Sequence, residues 1–318
     1  MAKVETLRGP IDTSELGFTL MHEHIFFHPE GLVENFPSVW DKEKQIASAR
    51  ETLRELPSLG VRTIVDLTVL GGGRNIPLIL EVAGDLPLNV IVATGIYYYR
   101  EIPGYFERQE IDVMIDLFVR DIKVGIQGTK VKAAIVKGVT DEPGVTSGVE
   151  KLLRAAARTH RLTGAPLFTH SHSKTRRGLE QQDIFEQEGV DLSRVVIGHA
   201  GDSEDIEYLK SLMDRGSFIG MDRFGLDMYL PTSNRVAVIA KLCKMGYAGQ
   251  MGLGHDACVF TTFYPDQQLR PMFPNWHYRH IIQDVLPALR EAGVTEDQIR
   301  QMTVENPRLI FEKSEPYW

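Results

Sequence analysis

Short runs rich in β-branched and other apolar residues recur along the whole chain, at residues 18–21, 63–69, 89–94, 132–136, 166–169, 194–197, 217–221 and 250–253. Between them lie longer stretches whose apolar residues fall three and four apart, at 42–59, 111–125, 148–163, 177–188, 203–215 and 234–245. The first pattern predicts strands buried on both faces and the second predicts helices with one apolar side. Their alternation is that of parallel βαβ units, and eight strands are what an α/β fold of the (β/α)₈ TIM-barrel type needs. Helical spacing appears again at 276–292 and 295–302, followed by the segment ENPRLIFE.

The 318 residues suit one such barrel of about 250 residues with extra loops. No Ser/Gly linker, charge block or low-complexity segment divides them, so residues 1–318 are expected to form a single domain, with 1–16 as an N-terminal cover over the barrel bottom. The net charge of −8 argues against nucleic acid as a partner. Nowhere do about 18 apolar residues run together, and the N-terminus lacks an apolar leader, so a soluble, cytoplasmic protein without membrane association is expected. The two cysteines, Cys243 and Cys258, form no CxxC pair. Any metal must therefore be held through nitrogen and oxygen.

In a barrel the C-terminal ends of the strands converge on the face where active sites sit. The residues at those ends are polar: His22-Glu23-His24 on the first strand, Lys137 on the fourth, His170 on the fifth, His199 on the sixth, Asp222 on the seventh and His255-Asp256 on the eighth. His22 and His24, two apart, share one face of an extended segment and can grip one ion. Imidazole and carboxylate suit zinc first, with cobalt, iron or manganese as alternatives. Taken singly, each residue has a plainer reading: a His that caps a strand, a lysine that snorkels, an Asp that caps a helix. Their shared position at one end of five strands favours a metal site made of His22, His24, Lys137, His170, His199 and Asp256.

Through GFTLMHEH, TIVDLTV, VATGIY, IVKGVTDEPG, FTHSH, GLEQQDIFEQEGVDLSRVVIGHAGD, FIGMDRFGLD and GHDAC, in that order, the chain resembles the phosphotriesterase family of the amidohydrolase superfamily, and its lactonase branch most closely. The resemblance implies two divalent ions, one held by His22, His24 and Asp256 and the other by His170 and His199. It further implies that Lys137, carboxylated by carbon dioxide, bridges them and that a hydroxide shared by the ions is the nucleophile. Asp256 would relay the proton toward the leaving group. His255 is expected to assist from behind the ligands.

The same resemblance points to lactones, N-acyl-homoserine lactones among them, with quorum quenching as a conceivable role and phosphotriester hydrolysis as a side activity. A primary organophosphate hydrolase is the alternative, and a non-catalytic barrel with a vestigial centre is a third reading. Tyr97 and Arg223 stand where the lactonase branch carries tyrosine and arginine, Tyr97 to hold the substrate oxygen and Arg223 to support the seventh loop. A surface arginine paired with a nearby Asp is the plainer reading of Arg223. Asp222 and Asp256 lie only 34 positions apart, so the seventh loop must be short. Loop eight, residues 258–277, offers apolar surface for an acyl chain, with Cys258, Phe263, Phe273 and Trp276 as candidate pocket residues. The resemblance implies a homodimer, and serine where Gly254 stands.

Overall fold

The structure is a computed structural model that describes residues 2–264 and 271–317. The segment 265–270, within the loop-eight prediction, lies outside the described residues. The chain opens with an antiparallel hairpin, β1 (Lys3–Thr6) and β2 (Gly9–Asp12). The N-terminal segment abuts the starts of later strands: Leu7 N–H donates to Val90 O at 2.8 Å, and the hydroxyl of Thr63 donates to Leu16 O at 2.6 Å.

The barrel strands are β3 (Thr19–Phe27), β4 (Thr63–Asp66), β5 (Asn89–Gly95), β6 (Ile135–Val139), β7 (Leu167–His170), β8 (Val195–Ile197), β9 (Phe218–Met221) and β10 (Met251–Leu253). They pair in parallel in chain order, and β11 (Ala257–Thr261) completes the ring by pairing with β3. The eighth barrel position is thus a strand broken at residues 254–256, where Asp256 N–H donates to His22 O at 2.9 Å. The fold is a (β/α)₈ barrel, as the strand–helix alternation predicts.

Alternation along each strand sorts the core. Met21, Val65, Ile91, Ile135, Phe168 and Val196 fill the interior, while Leu20, Ile64, Val90, Val136, Leu167 and Val195 meet the outer helices. Continuing the period of two past Ile135 and Phe168 sends Lys137 and His170 inward, toward the open end. On β3 the pairing with β4 shifts register between Leu20 and Glu23, which resets the alternation before His22 and His24.

Several boundaries differ from the sequence pattern. β3 runs to Phe27 rather than ending at 21, because its second half is paired by β11, a strand the pattern missed. β6 begins three residues late, so Lys137 lies inside it. The helix Ile76–Ala83 also escaped notice: it is strongly apolar and therefore lacks a polar stripe, and only the Asn75 cap and Pro77 mark its start. The two last helical segments are each interrupted by a π-helical turn, Ile281–Val285 and Gln301–Glu305. Both lie just ahead of a proline, Pro287 and Pro307, whose missing N–H disturbs the regular ladder.

Near the C-terminus, Tyr317 lays its ring under Arg194, 4.4 Å from guanidinium carbon to ring centre. Its hydroxyl donates to His160 Nε2 and accepts the Asp191 N–H, both at 2.7 Å. His160 Nδ1 then donates to Ala165 O, also at 2.7 Å, so this buried imidazole is satisfied in its neutral form. Among the described residues no helix is long and apolar enough to cross a membrane.

Candidate active site

At the C-terminal mouth of the barrel lies a cavity of about 230 Å³. His22, His24, Lys137, His170, His199 and Asp256 all line it, as do Tyr97, Arg223, Cys258, Phe263 and Trp276. Phe273 does not: it packs behind the wall, edge-on to Tyr264 and Trp276 at 5.0 and 6.0 Å between ring centres. The sequence marked it as apolar and near the mouth but could not show which side of Trp276 it takes.

Each of the four histidines has its outward nitrogen held. His22 Nδ1 lies 2.7 Å from Asp222 Oδ2, His24 Nδ1 2.8 Å from the Thr68 hydroxyl, His170 Nε2 3.0 Å from Asp141 Oδ2 and His199 Nδ1 3.0 Å from Asp222 Oδ1. The inward nitrogens then meet other candidate ligands. His22 Nε2 and His24 Nε2 approach Asp256 Oδ1 to 3.2 and 3.1 Å, and His170 Nδ1 and His199 Nε2 lie 3.0 Å apart. Asp256 spans the two groups, with Oδ2 3.7 Å from His199 Nε2. Imidazoles oriented by an outer acceptor, with converging inner lone pairs, are the arrangement a divalent ion requires. One donor atom from each of His22, His199 and Asp256 falls within 4.8 Å of the others.

Electrostatics agree with that chemistry. Burial lowers His22 to about 4 and pushes His199 and His170 down as well, which keeps their rings neutral. Burial pushes the Asp222 carboxyl up, but the imidazoles of His199 and His22 hold it well below the ordinary range. Lys137 is 1% exposed; its Nζ lies 3.2 Å from His22 Nε2 and 5.0 Å above the Phe168 ring, and burial lowers its ammonium to about 8.

Arg223 is no surface residue. Its Nε donates to Asp256 Oδ2 at 3.1 Å, its Nη1 to Asp202 Oδ2 at 2.9 Å, and its guanidinium stacks 4.3 Å from the Tyr229 ring centre. Tyr97 stands edge-on to His170 at 5.3 Å. Loop seven, residues 222–231, is short and contains no helix; Leu226 and Tyr229 from it join the cavity wall.

His255 stands behind the cavity wall, its ring nitrogens turned to Ile281 and Glu23 rather than to a candidate ligand. Its Nε2 accepts the Ile281 N–H at 3.0 Å, which leaves Nδ1 to donate to Glu23 Oε1 at 2.6 Å. Both nitrogens are committed away from the cavity, and burial lowers the ring to about 3. Glu23, between the two histidines of HEH, faces the other way and accepts the backbone N–H of His255 and of Ala257 at 3.0 and 3.2 Å. It thereby fixes the backbone on both sides of Asp256, whose φ is +53°. Gly254 has a steric reason: a Cβ there would lie 2.9 Å from both N and O of His22, so serine does not fit.

Asp141, Asp202, Asp222, Glu23 and Tyr229 also belong to the site. Asp222 and Glu23 stand at strand ends in the sequence, whereas the others act through contacts that no local pattern announces.

The comparisons point the same way. A phosphotriesterase family profile matches residues 2–311. The chain is 51% identical to the "Phosphotriesterase homology protein" of Mycobacterium tuberculosis over the full length of both, and 40% identical to the "Aryldialkylphosphatase" of Saccharolobus solfataricus over 96% of this chain and 98% of that one. The solved structure of the phosphotriesterase from Mycobacterium tuberculosis superposes with a TM-score of 0.97 at 51% identity, covering 99% of this chain and 100% of that one. With a metal-competent cluster of histidines and aspartate at the mouth of the barrel, the chain belongs to the phosphotriesterase family of hydrolases.

Proposed function

We propose that the protein is a metal-dependent lactone hydrolase, acting on N-acyl-homoserine lactones and other γ- and δ-lactones, with slower phosphotriester hydrolysis. The observation that carries this reading is the joint placement of Tyr97 and Arg223 on the cavity, with Arg223 paired to Asp256 under a short loop seven. His22, His24 and Asp256 would hold one divalent ion, His170 and His199 a second, with zinc the best match to the donor set. Lys137 is proposed to join both after its neutral amine adds to carbon dioxide and releases a proton, giving a carbamate. Its burial beside imidazole and a phenyl face, which lowers its ammonium to about 8, suits a lysine whose amine is available in neutral form.

When bound, such a pair of ions supplies Lewis acidity and lowers the pKa of water toward neutrality. The protein's own groups then divide the work. Asp256, which burial pushes up but His22, His199, the His24 hydrogen bond and the Arg223 guanidinium together hold well below the ordinary carboxylate range, accepts a proton from the attacking water and returns it to the ring oxygen as the acyl C–O bond breaks. Arg223 remains charged throughout, backed by Asp202. Tyr97, whose hydroxyl burial keeps protonated, donates to the substrate oxygen. Phe27, Leu226 and Trp276 exclude water around the substrate's apolar part.

A second reading, a primary phosphotriesterase, is favoured by the 40% identity to a protein named aryldialkylphosphatase. Measuring kcat/KM for an acyl-homoserine lactone and for paraoxon, on protein reconstituted with zinc and bicarbonate, separates the two. A higher value for the lactone supports the first, and a clearly higher value for paraoxon overturns it. Retention of full activity by Lys137→Ala would remove the bridging role.

A further inference from the structure

Arg235, in the helix Thr232–Lys244 after loop seven, is the largest fully buried side chain among the described residues. A guanidinium leaves water only where acceptors and an opposite charge replace it. Here its Nε donates to Leu230 O at 3.1 Å and its Nη1 to Gly201 O at 2.7 Å, while Nη2 lies 2.6 Å from Asp202 Oδ1 as an ion pair. The acceptors belong to two different loops at the mouth. Gly201 and Asp202 lie in the turn Ala200–Asp202 that follows His199, and Leu230 lies at the end of loop seven.

The other oxygen of Asp202 accepts from Arg223 Nη1, and Arg223 Nε reaches Asp256. Asp256, Arg223, Asp202 and Arg235 thus form a row of alternating charges leading inward from the cavity, with side-chain exposures of 16%, 11%, 6% and 0%. Both ends of loop seven are fastened to this row, Arg223 at the start and Leu230 at the finish. Within the loop run short turns, Leu226 N–H to Arg223 O at 3.2 Å and Tyr229 N–H to Leu226 O at 3.1 Å, while Phe224 N–H reaches Gly254 O at 3.4 Å and Asp227 Oδ1 accepts the Thr232 N–H at 2.9 Å. Those turns place Leu226 and Tyr229 on the cavity wall beside Arg223.

We infer that Arg235 is a positioning residue for the reaction. It fixes Asp202 and the end of loop seven, so that Arg223 meets Asp256 and Leu226 and Tyr229 keep their places on the cavity. The kinetic part of this inference rests on the hydrolytic reading above, but the effect on loop seven does not.

The test compares wild type with Arg235→Met and Arg235→Lys, each reconstituted with zinc and bicarbonate. Hydrogen exchange in Arg235→Met should rise at residues 200–203 and 223–231, with residues 236–244 protected as in wild type. The kcat/KM for lactones should fall roughly 10- to 100-fold, as for groups that orient a metal site's neighbours. KM should rise more for bulky than for small lactones, and Arg235→Lys should recover part of the loss. Exchange that rises along the whole helix, or leaves loop seven unchanged, overturns the inference, as does an equal loss for every lactone. Should Arg235→Met not fold, Asp202→Asn interrupts the same row while sparing the Leu230 and Gly201 bonds; unchanged exchange at 223–226 in it overturns the inference equally. If wild type opens no lactone and cleaves no phosphotriester, the hydrolytic reading fails and the exchange pattern still decides the role of Arg235.

Discussion

Replacing Asp222 by asparagine probes the ligand geometry from behind. Both carboxylate oxygens are in use: Oδ2 faces His22 Nδ1 at 2.7 Å, and Oδ1 takes His199 Nδ1 at 3.0 Å and the His199 N–H at 2.9 Å. The side chain is fully buried, so water does not substitute. Asparagine keeps the shape but offers one acceptor oxygen and one amino group. With the oxygen kept on the two His199 donors, the amino group faces His22 Nδ1. His22 must then either move its proton to Nε2, blocking the inward lone pair, or give up a charge-assisted hydrogen bond of about 1.5–3 kcal/mol. At about 1.36 kcal/mol per factor of ten, the bond's loss corresponds to roughly 10- to 150-fold weaker metal binding. The loss should fall mainly on the ion proposed for His22, His24 and Asp256. Chelator competition on zinc-reconstituted protein, followed by metal analysis, should show one equivalent released at lower chelator concentration and the second held more nearly as in wild type. A variant that keeps both ions within about threefold of wild-type affinity, with unchanged circular dichroism, refutes the tautomer argument.

Gly254→Ser should lower stability by about 1–3 kcal/mol, because the His22 backbone that its Cβ strikes cannot rotate away; an unchanged urea midpoint would count against the close approach. His160, lowered by burial to about 4 from 6.5, contributes stability fully present above pH 6.5 and lost as pH falls toward 4, since the unfolded chain takes up the proton first. Its share of the loss between pH 7.5 and pH 5 is about 2 kcal/mol, and His160→Gln should flatten the urea-measured slope by that amount. Phe263, 55% exposed at the mouth, should on replacement by alanine raise KM for long-chain lactones and leave the melting temperature unchanged; a KM shift equal for short and long chains would argue against contact with the chain.

The barrel was legible because its strands are buried on both faces and read as isolated apolar runs. What sequence could not give was phase. The register shift ahead of His22 and the late start of β6 depend on which strand lies alongside, and β11 exists as a strand because β3 extends to meet it. The candidate ligands were legible for a related reason, since each is a polar residue at or beside the end of an apolar run. The groups that orient them were not. Asp222 serves two histidines 200 and 23 positions away, and Glu23 reaches 232 positions to His255. Resemblance alone marked Arg223; its bonds to Asp202 and Asp256, 21 and 33 positions away, no local pattern could show. Phe273 and Trp276, three apart in one loop, differ only in which of them turns toward the cavity.

His199 and Asp256 share a backbone property that bears on engineering. Both sit in the left-handed region, with φ of +59° and +53°, a conformation that Asn, Asp and His enter more readily than other residues but that glycine adopts without steric cost. That cost belongs to the polypeptide alone, so in metal-free protein Asp256→Asn should be tolerated for its backbone even as it removes a carboxylate from the cluster. Thermostability selection carried out on apo-protein would therefore tend to remove the candidate metal ligands at positions 199 and 256. A stabilisation programme for this barrel should screen with metal present, or hold those two positions fixed.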